Sequence, residues 1–217
     1  MINYPDNIRV YDNYLAENVA QALYSKLSGI PQQWFSLRKT SHPEDGSKPK
    51  FSKTWWSVHG DKSTASQLDP NGEMTYQYMA TDMHQSGCDC AYCDLNKLFK
   101  QQPPPEVSDL VMQESFLSLY RPGDFLSQHT DIGAQRLWAF TYTLSTGWRP
   151  EYGGILNVKS NGIWYAFPPT FNRLILMDVT DKESCTHFVS QVIPQSPINR
   201  ITYSGWWYDP KTDKMAA

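Results

Sequence analysis

Gly154-Ile155-Leu156-Asn157-Val158-Lys159, then Ser160-Asn161-Gly162, then Ile163-Trp164-Tyr165-Ala166-Phe167, reads as two short strands joined by a tight turn. Both runs are rich in β-branched and aromatic residues, and Asn161-Gly162 suits the two positions at which a two-residue hairpin wants positive φ. Working outward, the same texture recurs between turn residues at 111–120, 137–145, 173–177, 187–193 and 200–208. Many short strands at this spacing predict a β-sandwich or jelly roll. Ahead of Pro103-Pro104-Pro105 the pattern changes. Leu15, Val19, Leu23 and Leu27 recur every fourth residue without Pro or Gly, so an amphipathic helix is expected over 15–27, stopped by Gly29 and Pro31. Met74, Tyr78, Met79 and Met83 suggest a second helix over 73–85, and 94–100 a short third one. Residues 38–53 are rich in Lys, Ser, Pro, Gly and Asp and read as an exposed loop that closes on Trp55-Trp56. The expectation is one mainly β domain with N-terminal helices: 1–105 a helical support and loop region, 106–210 the β core.

Composition excludes several functions. With a net charge of -3 over 217 residues there is no basic excess to hold nucleic acid or an anionic membrane. No run approaches the roughly 20 apolar residues of a membrane span, and Met1 to Val10 lacks the basic start and apolar stretch of a secretory signal. A soluble, cytoplasmic protein is expected. Aromatic residues reach 14% and charged ones only 19%, as in a packed fold rather than a disordered chain.

The chemistry lies near His129-Thr130-Asp131, which follows Ser115 to Tyr120 and the turn Arg121-Pro122-Gly123-Asp124. Residues two apart in extended backbone point to one face, so this imidazole and carboxylate can meet one metal ion. Alone, the pair is better explained as a surface histidine beside a turn. His187, heading another strand, is the candidate third ligand. Two histidines and one carboxylate on one face leave open positions, the arrangement of non-haem Fe(II) oxygenases. Arg200 follows 13 residues later, and its planar guanidinium suits the far carboxylate of a dicarboxylic acid.

Tyr120, His129-Thr130-Asp131, Trp138-Ala139-Phe140-Thr141-Tyr142-Thr143-Leu144, Trp148, Gly153-Gly154-Ile155-Leu156, Phe171-Asn172-Arg173-Leu174, His187-Phe188-Val189 and Arg200 to Trp206 occur in this order. From Ser115 to Tyr208 the chain resembles the 2-oxoglutarate and Fe(II)-dependent prolyl hydroxylases, most of all the hypoxia-sensing and ribosomal-protein branch. The resemblance implies a double-stranded β-helix, a cupin-like jelly roll, with iron held by His129, Asp131 and His187. It also implies 2-oxoglutarate paired with Arg200, with Tyr120 and Thr143 as hydrogen-bonding neighbours and Leu156 lining the pocket; Tyr142 is an alternative to Thr143. Ascorbate as a reductant and a proline-containing peptide or protein as substrate follow from the same likeness. Two rivals remain: the same chemistry on a free amino acid, a metabolite or another side chain, and a non-catalytic binding protein on this scaffold.

Two features stand outside this core. His84, Cys88, Cys90 and Cys93 offer donors for a structural zinc ion, but the Cys88-to-Cys90 spacing departs from the usual knuckle, and free thiols or an adventitious disulfide explain them better. The loop ending in Trp55-Trp56, with Arg38, Lys39, Lys48, Lys50 and Lys53, reads either as a lid over substrate or as a connection.

Overall fold

The computed structural model describes residues 4–28, 35–40, 76–81, 90–132, 135–180 and 186–210. In chain order these form β1 (Ile8–Tyr11), α1 (Glu17–Ser28), β2 (Ser36–Thr40), β3 (Tyr76–Thr81), α2 (Ala91–Gln101), β4 (Val111–Tyr120) and β5 (Phe125–His129). There follow β6 (Arg136–Thr143), β7 (Leu156–Ser160), β8 (Ile163–Phe167), β9 (Leu174–Asp178), β10 (Thr186–Val189) and β11 (Arg200–Tyr208). Their antiparallel order is β1-β9-β6-β11-β4-β3-β5-β10-β7-β8, with β2 on the outer side of β3. The β7–β8 hairpin turns at Asn161 (φ 51) and Gly162 (φ 79), as the sequence predicts. Among the described residues, no helix is long and apolar enough to cross a membrane.

The sheet curls where β4 gives way to β5. Met79 to Thr81 pair with Leu117 to Leu119 of β4, while Tyr76 and Gln77 pair with Leu126 and Phe125 of β5. β3 therefore runs beside two strands laid end to end, and the chain leaves its edge only between them. Asp124 secures this corner. Its fully buried carboxylate accepts hydrogen bonds from Gln77 Nε2 (2.8 Å), Arg121 N (2.9 Å) and Arg121 Nε (3.1 Å). Gly123 N donates to Val192 O at 2.8 Å and Val192 N to Asp124 O at 3.0 Å, which ties the corner to the segment after β10. β10 is thereby held in register with β5.

The expected helix over 73–85 is corrected at its centre: 76–81 is strand β3. The apolar spacing that suggests a helix is outweighed by ladder bonds on both edges of a Tyr-rich segment, a tertiary effect that local pattern does not register. Likewise 38–40 belong to β2 rather than to a loop, and the lid residues 41–56 lie outside the described residues. The other two helices appear, and β1 and β5 are strands in addition to those expected.

Two apolar clusters flank the main sheet. On one side Leu15, Ala20, Leu23 and Leu27 from α1 and its approach, and Tyr92, Leu95 and Phe99 from α2, pack on Phe140, Tyr142, Tyr203 and Trp207. On the other, Tyr120, Leu156, Val158, Phe167, Ile175, Met177, Val189 and Val192 fill the space inside the curl. Asn172 (φ 59) anchors the N-terminal segment: Leu15 N and Tyr142 Oη donate to its Oδ1, and its Nδ2 donates to Leu15 O.

Candidate metal centre

Alternation along β11 places Arg200, Thr202, Ser204 and Trp206 on the inner face, where they meet β4, β6 and the histidine-bearing strands around a cavity of about 110 Å³. His129 ends β5 and is the Cα partner of His187 on β10, so their side chains share one face and their ring centroids lie 4.2 Å apart. Asp131 joins them from just beyond the strand. Its Oδ1 lies 3.5 Å from His129 Nε2 and its Oδ2 3.5 Å from His187 Nε2. One donor atom from each of the three residues falls within 4.8 Å of the others.

The donor set fits a divalent metal. His129 Nδ1 faces Ser127 O at 2.8 Å. A carbonyl only accepts, so Nδ1 carries a proton and Nε2, beside Asp131, is the nitrogen that can give its lone pair to a metal, the arrangement that fixes a ligating orientation. Burial opposes ionisation of Asp131, but His187, His129 and the indole N–H of Trp206 outweigh it and hold the carboxyl well below the usual carboxylate range. The carboxylate is thus ready to ligate.

In the lining of the same cavity Arg200 is 3% exposed, with its guanidinium carbon 4.9 Å from the centroid of the Tyr120 ring. Burial pushes its pKa down and Tyr120 partly offsets this. Nη1 reaches Thr202 Oγ1 at 3.4 Å, whereas Nε has no hydrogen-bond partner among the described residues. A buried guanidinium without a carboxylate is costly, and an anionic ligand would supply what it lacks. Gly154 (φ +61) makes room for it: a Cβ there would lie 3.0 Å from Arg200 Cδ and 3.0 Å from Trp148. The hydroxyl of Tyr120 is pushed strongly up by burial and stays protonated.

Of the residues singled out in the sequence, His129, Asp131, His187, Arg200, Tyr120 and Leu156 all line this cavity, and Thr143 does not. Thr143 is the Cα partner of Thr202, whereas Thr141, paired with Ser204, borders the cavity. Tyr142, the alternative, turns to the other core and donates to Asn172. Tyr78, Phe116, Ser118 and Thr141 also border the cavity and were not singled out. Phe116, Ser118 and Tyr120 follow the two-residue period of β4, a signal that was available; Tyr78 gave none once its segment read as helical. Cys90 immediately precedes α2 and Cys93 lies in its first turn, while His84 and Cys88 lie outside the described residues.

Residues 115–208, the span that contains the triad and Arg200, match the 2OG-Fe(II) oxygenase superfamily. The chain carries a 2OG-Fe(II) oxygenase domain. Its cofactors are accordingly Fe(II) and 2-oxoglutarate. No curated protein matches the chain. Among solved structures the oxygenase is similar to a Pseudomonas putida prolyl-4-hydroxylase, at 15% identity and a TM-score of 0.63 over 93% of this chain and 92% of that one. It is also similar to a Trichoplax adhaerens prolyl hydroxylase in complex with a hypoxia inducible factor peptide fragment, at 15% identity and 0.64 over 98% and 88%. A viral collagen prolyl hydroxylase from Paramecium Bursaria Chlorella virus-1 matches at 10% identity and 0.54 over 93% and 96%. At these identities the likeness is one of fold, a double-stranded β-helix.

Proposed function

We propose that this oxygenase hydroxylates a prolyl residue within a polypeptide, using His129, Asp131 and His187 to hold Fe(II) and Arg200 to hold the distal carboxylate of 2-oxoglutarate. The observation that carries the reading is the placement of a two-histidine, one-carboxylate set and a buried guanidinium, with no carboxylate partner among the described residues, in the lining of one cavity. Bound iron with 2-oxoglutarate and O₂ supplies the oxidising power: one oxygen atom enters the substrate C–H bond, and the other leaves in succinate as CO₂ is released. The protein positions and shields. Arg200 with Thr202 orients the dicarboxylate, protonated Tyr120 can donate a hydrogen bond to it, and Leu156, Met177 and Val189 contribute apolar lining.

For the substrate, the support is an outer groove of about 500 Å³ that shares Tyr78, Phe116 and Trp206 with the cavity and adds Tyr92, Glu114 and Arg136. Aromatic faces suit a proline ring, and an open groove suits an extended chain. Solved structures that share this fold include prolyl hydroxylases, one of them in complex with a peptide fragment, which supports the reading. Incubation with Fe(II), 2-oxoglutarate, O₂ and ascorbate should yield succinate, and a proline-rich peptide should raise that yield and gain one oxygen atom by mass. Succinate release stimulated by a free amino acid or a metabolite but by no peptide would transfer the reading to small-molecule hydroxylation. No succinate under any condition would favour a binding protein.

A further inference from the structure

Trp206 stands between the cavity and the outer groove and borders both. Its outer face is clamped: the guanidinium carbon of Arg136 lies 3.9 Å from the ring centroid. Arg136 is itself fixed by Glu114 Oε2 (2.6 Å) and Tyr208 Oη (3.1 Å), so the cation is not free to drift off the ring. Phe116 packs on the same indole at 5.9 Å between centroids. The indole Nε1 is buried and makes no well-formed hydrogen bond among the described residues, yet it lies close enough to Asp131 to favour its ionised form. Asp131 offers both its oxygens to the two histidines. A metal that takes one of those oxygens leaves the other needing a donor in a buried site, where an unsatisfied acceptor is costly.

We propose that Trp206 is a positioning residue of the metal centre, its indole N–H holding the Asp131 oxygen that the metal leaves free, with Arg136 keeping the ring in the orientation this requires. The inference rests on the assignment of His129, Asp131 and His187 as metal ligands. Partners that orient a ligating carboxylate commonly contribute about 10–100-fold to metal affinity. Trp206 thereby also links the groove to the metal, since a chain lying against Arg136 and the indole presses on the residue that orients Asp131.

Co(II) titration followed by visible absorption tests this without turnover. Trp206→Phe, which keeps an aromatic wall under Arg136 but removes the N–H, should weaken Co(II) binding by about 10–100-fold and alter the absorption bands. Arg136→Gln should weaken it in the same direction but less. In the wild-type protein, Zn(II) should move the Trp206 indole N–H resonance downfield and slow its exchange with solvent, a readout that does not depend on any variant folding. Wild-type Co(II) affinity in Trp206→Phe, or an indole resonance indifferent to Zn(II), would overturn the role of Trp206. Failure of the wild-type protein to bind either metal would instead remove the metal centre itself.

Discussion

The two faces of β11 carry opposite chemistries. Tyr203 and Trp207 turn toward α1 and α2 and are enclosed by Phe99, Phe140 and Tyr142, with the Phe99 and Tyr203 ring centroids 5.1 Å apart. Arg200, Thr202, Ser204 and Trp206 turn inward, and two of them bury a nitrogen that makes no well-formed hydrogen bond among the described residues. The comparison separates what stabilises the fold from what serves the reaction. The helix-backed face gains from burial of apolar area and has little polar demand left over. The inner face bears unmet polar demand at Arg200 and Trp206, which is how a site complementary to a ligand looks before the ligand is counted.

The comparison breaks most sharply at Asp131. Asp131→Ala should abolish stoichiometric metal uptake while leaving the urea midpoint of the metal-free protein nearly unchanged, because the helix-backed face is untouched; full metal content in this variant would dissolve the centre. The converse change is Phe99→Ala. Phe99 is fully buried among aromatic rings, so its truncation should cost about 3–5 kcal/mol in urea unfolding. Metal uptake by the variant's folded fraction should be normal. A loss of metal affinity with little loss of stability would show that the two faces are not separable.

Arg200 sharpens the comparison. Losing a charge-assisted pair in a desolvated pocket typically costs about 2–5 kcal/mol, so Arg200→Met should raise the 2-oxoglutarate requirement at least tenfold. Because the guanidinium is buried without a carboxylate partner among the described residues, the ligand-free variant should melt no lower than wild type. The thermal shift that 2-oxoglutarate confers on the wild-type protein should vanish in it. An unchanged requirement would give the dicarboxylate another anchor.

The smallest expected effect concerns Asp124 at the corner. Burial raises its pKa despite the hydrogen bonds from Gln77 and Arg121. A carboxyl whose folded pKa is raised favours the folded state while protonated, and that contribution is lost as pH rises from the unfolded value, about 3.9, through the raised folded one. Asp124→Asn, which keeps an acceptor for Arg121, lacks this dependence. Its stability relative to wild type, from urea unfolding at successive pH values, should therefore improve as pH rises through that window and level off above it. A relative stability that falls with rising pH would mean that the carboxylate is favourably paired.

Much of the oxygenase was legible in the sequence, for local reasons. The hairpin at Asn161-Gly162 depends on two positive φ angles, α1 on a four-residue apolar repeat, and the shared face of β4 on alternation over a few residues, so each signal is complete within a short window. The histidines, Asp131 and Arg200 stood out because their residue types at those spacings suit one metal and one dicarboxylate. Other features required the tertiary structure. Residues 76–81 became a strand only because β2, β4 and β5 offered ladder partners, which no window around Tyr78 contains. Thr143, although beside Thr202, lies off the cavity while Thr141 borders it, a distinction set by where the curl closes rather than by alternation. The buried nitrogens of Arg200 and Trp206 that lack a well-formed hydrogen bond among the described residues, and the clamp of Arg136 on the indole, exist only once β6 and β11 are paired and β5 is folded over them. Sequence determines which groups are available and which face of a strand they share; packing decides which of them are left without partners.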